Sequence, residues 1–144
     1  MLSRVFMLAA ICVLGAAAAQ EVREPVIIVR LTGFSDWRGM ARVAVFDSDE
    51  YWPEDVEFSV RRVSSTIEAD TVLMAIEGLP PGSYALAAFH DEDADSVFDR
   101  GLFSVPTESY GFSNNVRGRT GPPDFLDALV LLDRDTLRLD IELR

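Results

Sequence analysis

The chain has 144 residues, 49% of them hydrophobic, and carries 24 acidic side chains against 13 basic ones. That length supports one domain with a core of ordinary size. The acidic excess argues against nucleic-acid partners, whose phosphates need neutralising by basic side chains, and against anionic membrane surfaces.

Residues 1–19 read as a secretory signal peptide. Arg4 supplies the positive start, Val5 to Leu14 the apolar run, and Ala17, Ala18 and Ala19 a small-residue cleavage site before Gln20. The apolar run is about ten residues, short of the roughly twenty that a bilayer-spanning helix needs, and no later run is longer. Cys12, the single cysteine, falls inside this segment, so the mature chain is expected to lack disulfides, thiolate metal sites and a cysteine nucleophile. A lipid anchor at Cys12 is the rival reading, but the bulky Ile11 precedes it where lipid-attachment signals favour a small residue. Residues 20–144 are therefore expected to form one exported domain, periplasmic or secreted, without membrane insertion. Removing Arg4 with the signal leaves a formal charge of −12, whose plain reading is solubility.

Short apolar runs follow in series. Val26 to Leu31, Ala41 to Phe46, Val72 to Ile76, Tyr84 to Phe89, Ala128 to Leu132 and Thr136 to Leu143 read as strands, and Phe58 to Val63 as a weaker seventh. In the last run Leu137, Leu139, Ile141 and Leu143 alternate with Arg138, Asp140 and Glu142, so one face is core and the other solvent. Turn chemistry at 36–39, 78–82 and 133–135 reads as hairpin connections. Helix is limited to short turns, one capped by Ser48 over Asp49 to Trp52 and one opened by Pro123 over Asp124 to Asp127. The expected fold is all-β, an antiparallel β-sandwich of about seven strands with one long ordered loop.

That loop runs from His90 to Asp127 and is rich in Asp, Asn, Gly and Pro. Connections this long inside a compact domain are commonly functional or disordered. Interleaved Phe98, Leu102, Phe103, Tyr110, Phe112 and Phe125 favour order, packed over one end of the sandwich.

The loop opens on alternating carboxylates at Asp91, Asp93 and Asp95, with Asp99 beyond them. A curled backbone can turn these inward around a hard cation, with the Val97 carbonyl at the seventh position. The EF-hand pattern fails twice, because Ser96 replaces the turn-making glycine and Leu102 the closing bidentate Glu; Glu108 or Glu92 can complete a shell from elsewhere. Asp91, Asp93, Asp95 and Asp99 thus form the candidate metal site, with Ca2+ the cofactor considered and a hydrated acidic loop as the alternative. Crowded carboxylates need water or a cation to screen them.

Leu79 to Ala85, then Phe89-His90-Asp91, then Tyr110 to Asn115, and finally Gly121 to Phe125 occur in an order that resembles a bacterial family, domain of unknown function 2141. The resemblance covers nearly all of the mature chain. It implies an exported β-sandwich of transthyretin-like or prealbumin-like type with no established activity. Family members carry His-Asp-x-Asx-Gly-Asx-Gly where this chain has His90 to Ser96, so Ala94 and Ser96 replace both glycines.

The remaining chemistry is sparse. His90, the single histidine, can ligate a metal or serve as a base, but a strand-end structural role fits one imidazole better. Serines 96, 104, 109 and 113 form no nucleophile elbow, and no phosphate-cradling glycine motif is present. No catalytic residues are assigned, and a non-enzymatic module is expected in preference to a hydrolase using His90. Gly111 to Asn115 reads as loop architecture, since Asn and Gly tolerate left-handed backbone. An alternative function is glycan, peptide or protein binding through exposed aromatics, with Trp37, Tyr51, Trp52, Tyr110 and Phe112 as the platform and His90, Tyr110, Phe112, Asn114 and Asn115 as candidate ligand-binding residues.

Overall fold

The computed structural model describes residues 24–99 and 106–144; residues 1–19, expected above to be a signal peptide and including Cys12, and Leu102, Phe103 and Ser104 lie outside the described residues. Eight strands form two sheets: β1 (Ile27–Thr32), β2 (Met40–Phe46), β3 (Arg61–Thr66), β4 (Thr71–Ile76), β5 (Gly82–Asp91), β6 (Tyr110–Phe112), β7 (Leu129–Leu132) and β8 (Leu137–Glu142). One sheet has the order β4-β1-β8, and the other β3-β2-β5-β6. At ten residues β5 is long enough for two neighbours on one edge, β7 along Gly82 to Ala85 and β6 along Ala87 to Phe89.

The result is the expected all-β sandwich, with one pairing of different sense. β1 and β8 run parallel, from Ile27 opposite Leu137 to Thr32 opposite Glu142, while the other pairs are antiparallel. The core lies between the sheets. Val29 and Leu31, Ala41, Val43 and Val45, Val72, Met74 and Ile76, and Leu86 and Ala88 are all buried there at period two. β8 alternates as its sequence dictates, its leucines and Ile141 turned inward and Arg138, Asp140 and Glu142 exposed.

Three expected hairpins are instead arches between sheets. The turns at 36–39, 78–82 and 133–135 lead from β1 to β2, β4 to β5 and β7 to β8, and each change crosses from one sheet to the other. Gly, Pro and Asp chemistry reverses the chain in either case, and alternation does not say which sheet a strand joins. The weak strand expected over Phe58 to Val63 divides: Val56–Phe58 is a 3-10 turn, and β3 begins at Arg61. Asp49 to Trp52 forms turns without helix, whereas the turn after Pro123 is a four-residue helix, α1 (Phe125–Ala128).

The long connection adds a second apolar layer. On β2 and β5 the side chains of Phe46 and Phe89 point away from the main core, onto the outer face of the larger sheet. There Trp52 packs against Phe46, Phe112 and Phe125, and Phe98 bridges Phe89 and Tyr110, with ring centroids 5.3–5.9 Å apart. Phe98, Tyr110, Phe112 and Phe125, expected over one end of the sandwich, thus pack on the outer face of the larger sheet.

The arch between β1 and β2 passes against the end of β5. Gly39 has φ +67°, and a Cβ there would lie 1.9 Å from the Asp91 carbonyl oxygen. Gly39→Ala is predicted to cost more than about 2 kcal/mol, from left-handed backbone plus an unrelievable clash with main chain. Gly82→Ala, whose nearest neighbour would be the Tyr84 hydroxyl at 3.4 Å, should cost less than about 1 kcal/mol. Urea denaturation of both variants checks this.

Candidate functional site

The site grows from the last residue of β5. Asp91 belongs to the outward-facing set of its strand, yet its side chain is fully buried, and it pairs with the Arg42 guanidinium on neighbouring β2. Main chain adds further partners: Oδ1 accepts from the Asp95 amide at 3.1 Å and Oδ2 from the Ser96 amide at 3.0 Å. One carboxylate therefore curls the following five residues back over itself. Asp93 Oδ1 accepts from the Asp95 amide at 3.2 Å and Asp95 Oδ1 from the Val97 amide at 2.7 Å, two further turns of the same kind.

The curl carries its residues through left-handed backbone twice. Ala94 has φ 60° and Ser96 φ 73°. These are the two positions where the resembled family pattern has glycine, and they explain why that pattern wants it.

Glu108 closes the loop from the far side. Its carboxylate, 6% exposed, accepts from the Glu92 amide at 2.9 Å and from the Asp99 amide at 3.0 Å, so it clamps both limbs. The four aspartates chosen from sequence meet in two overlapping groups instead of one. Asp91, Asp93 and Asp95 bring an oxygen each within 4.8 Å of one another, and so do Asp93, Asp99 and Glu108. Oxygens within that limit can share one cation whose Ca–O distances are about 2.4 Å.

Electrostatics separate the two halves. Burial alone would raise the Asp91 carboxyl, but the Arg42 hydrogen bond, the Ser96 amide, the Arg42 charge and the Asp95 amide together hold it below the usual carboxylate range. Asp99 is raised, first by partial desolvation and then by the charges of Asp93, Asp95 and Asp91. Burial raises Glu108 as well, against its two amide bonds. Negative charge is thus balanced around Asp91 and in excess around Asp99 and Glu108.

His90 faces the opposite side of the strand from Asp91. Its ring is buried, Nε2 donates to the Arg38 carbonyl at 2.7 Å, Nδ1 pairs with the Ser35 hydroxyl at 3.1 Å, and Phe34 meets it edge to face. The ring ties the β1–β2 arch to the base of the acidic loop. Asn114 and Asn115 are left-handed, at φ 60° and 51°. Asn114 donates to the Asp127 and Leu129 carbonyls, and Asn115 donates to the Asp140 carbonyl and accepts from the Glu142 amide, so the pair ties the loop to β7 and β8.

The aromatic platform divides. Trp37 stands on the β1–β2 arch, 58% exposed, with its indole donating to Asp70. Tyr110, Phe112 and Trp52 belong to the outer-face layer, and Phe112 is buried in it; Tyr51 stacks on Phe58 nearby. Arg42 escaped the sequence reading, because an arginine in an alternating strand reads as solvated.

A two-sheet β-sandwich with one acidic, main-chain-clamped loop is the class of protein that this architecture defines. The family model described as "Uncharacterized protein conserved in bacteria (DUF2141)" matches residues 29–139, and the chain belongs to that family. Neither a curated protein nor a solved structure matches significantly.

Two outcomes follow for the cation-free protein. Ala94→Gly and Ser96→Gly should each stabilise by about 0.5–1 kcal/mol, the left-handed penalty of a side chain less the backbone entropy of glycine, measurable by thermal melts in EDTA. The pH profile should be two-sided. Asp99 and Glu108, raised in the folded state, bind protons before the unfolded chain does, so stability rises as pH falls from 7 toward about 4. Asp91, depressed in the folded state, contributes stability that is complete above about pH 4 and is lost as pH falls through its lowered value. Melts of the wild type and of Asp99→Asn across this range check the assignment, the variant showing a smaller gain on mild acidification.

Proposed function

We propose that this is an exported, non-enzymatic module whose acidic loop binds one calcium ion weakly. Asp93, Asp99 and Glu108 hold the ion, Asp95 stands beside them, and water fills the remaining positions of a shell of six to eight oxygens. The observation that carries this reading is the overlap of two three-carboxylate groups at Asp93, each spanning no more than 4.8 Å. A divalent ion there offsets the repulsion that raises Asp99. Asp91, already balanced by Arg42, acts as the anchor of the loop.

Export suits such a site. Extracellular calcium modules work at dissociation constants of about 10⁻⁴–10⁻³ M, and a loop preorganised by main-chain hydrogen bonds needs no tighter grip to be filled there. The non-enzymatic reading is supported by His90, whose ring is buried with both nitrogens engaged.

Isothermal titration of the metal-stripped mature protein tests the proposal. Binding heat is expected at millimolar calcium, and at ten times the dissociation constant stabilisation reaches about 1.4 kcal/mol, a rise of roughly 4–8 °C in Tm for a domain of this size. Asp93→Asn with Asp99→Asn should abolish both signals. Absence of heat and of thermal shift in the wild type at millimolar calcium would overturn the reading.

A further inference from the structure

A second surface lies on the outer face of the larger sheet, away from the acidic loop. An open groove of about 590 Å³ runs between the turn at 49–54 and the segment at 122–127. Its apolar wall is built from Trp52, Pro53, Pro123 and Phe125, and Leu126 stands at its edge, 75% exposed. Large aliphatic side chains left this exposed beside half-buried aromatic rings mark interaction surfaces more often than scattered apolar residues do.

The polar chemistry of the groove is one-sided. Asp49, Glu54, Asp124 and Asp127 contribute its charged groups, and no lining residue carries an amine, guanidinium, amide or hydroxyl side chain. The one side-chain donor, the Trp52 indole, is committed to the Pro123 carbonyl at 2.9 Å. Among the described residues no cation pairs with Asp49, Asp124 or Asp127. A surface that offers side-chain acceptors and ring faces, without donors, is matched by a ligand rich in N–H donors and positive charge. Sugar hydroxyls can donate to these carboxylates, but a neutral sugar leaves their negative charge uncompensated. Phosphates are repelled.

We propose that this groove docks an extended cationic peptide segment of a partner protein, with lysine or arginine side chains meeting the carboxylates and Trp52, and an apolar residue lying against Phe125 and Leu126. Cation–π contact with an indole adds to the charge pairing where the site is partly desolvated. The proposal is independent of the calcium reading, since no residue is shared between the two surfaces.

Composition supplies a clean test: the chain contains no lysine. A carbodiimide joins carboxylates to amines, so apart from the α-amino group every amide cross-link formed with an amidated lysine–leucine pentapeptide (KLKLK) reports the peptide's position. Cross-links are expected at Asp49, Asp124 or Asp127, together with a change in Trp52 emission in a Trp37→Phe background. Asp124→Asn with Asp127→Asn should weaken binding at least about tenfold, while Asp93→Asn with Asp95→Asn, an equal loss of charge elsewhere, should change it less than about twofold. Equal weakening by both double variants, or cross-links spread over the acidic loop, would reduce the effect to general attraction by net charge and overturn the proposal. So would a Trp52 response to cellotriose without one to the peptide, or no response to either.

Discussion

The ion pair between Arg42 and Asp91 governs the working end of this protein. It sits on the outer face of the larger sheet, where alternation alone would put solvated side chains, and it is buried because the loop it organises folds back over it. Breaking such a pair by removing one partner commonly costs about 3–5 kcal/mol, since the remaining charge stays buried without compensation. Here the same carboxylate also fixes the amides of Asp95 and Ser96, so the pair sets the loop's path as well as its stability. The placement of Asp93 and Asp95 follows from that curl.

Much of the fold was legible in the residues. Strands with strict alternation, such as Leu137 to Leu143, could be assigned with their faces, because period two is a direct consequence of the pleat. The left-handed roles of Asn114 and Asn115, and the glycine-demanding positions held by Ala94 and Ser96, were likewise readable from side-chain chemistry and family pattern. Sheet membership was not. Turns that reverse the chain within a sheet and arches that cross between sheets use the same residues, and only long-range packing separates them. β6 was hidden for a related reason: three residues, Tyr110 to Phe112, are too few to show a period.

The site was legible in composition and only partly in geometry. Alternate aspartates announced a curled loop, but the grouping of Asp99 with Asp93 and Glu108 depends on chain that returns from elsewhere, for which spacing gives no signal. Arg42 was invisible, being distinguished from a surface arginine only by what covers it. Acidity was marked in the sequence at Asp91 to Asp99 and elsewhere read as solubility. In the fold it divides into a main-chain-clamped cluster at one end and an acceptor-lined apolar groove on the sheet face, two environments with different appetites for positive charge.

The parallel pairing of β1 with β8 joins positions such as Arg30 and Asp140, separated by 110 residues. During synthesis β1 therefore keeps one hydrogen-bonding edge open until β8 has emerged. Late closure of this kind slows folding and leaves a strand edge free to recruit the wrong neighbour. It also means that the smaller sheet is completed in two steps, β4 joining β1 from nearby in sequence and β8 closing the other edge only after the larger sheet's strands have been made.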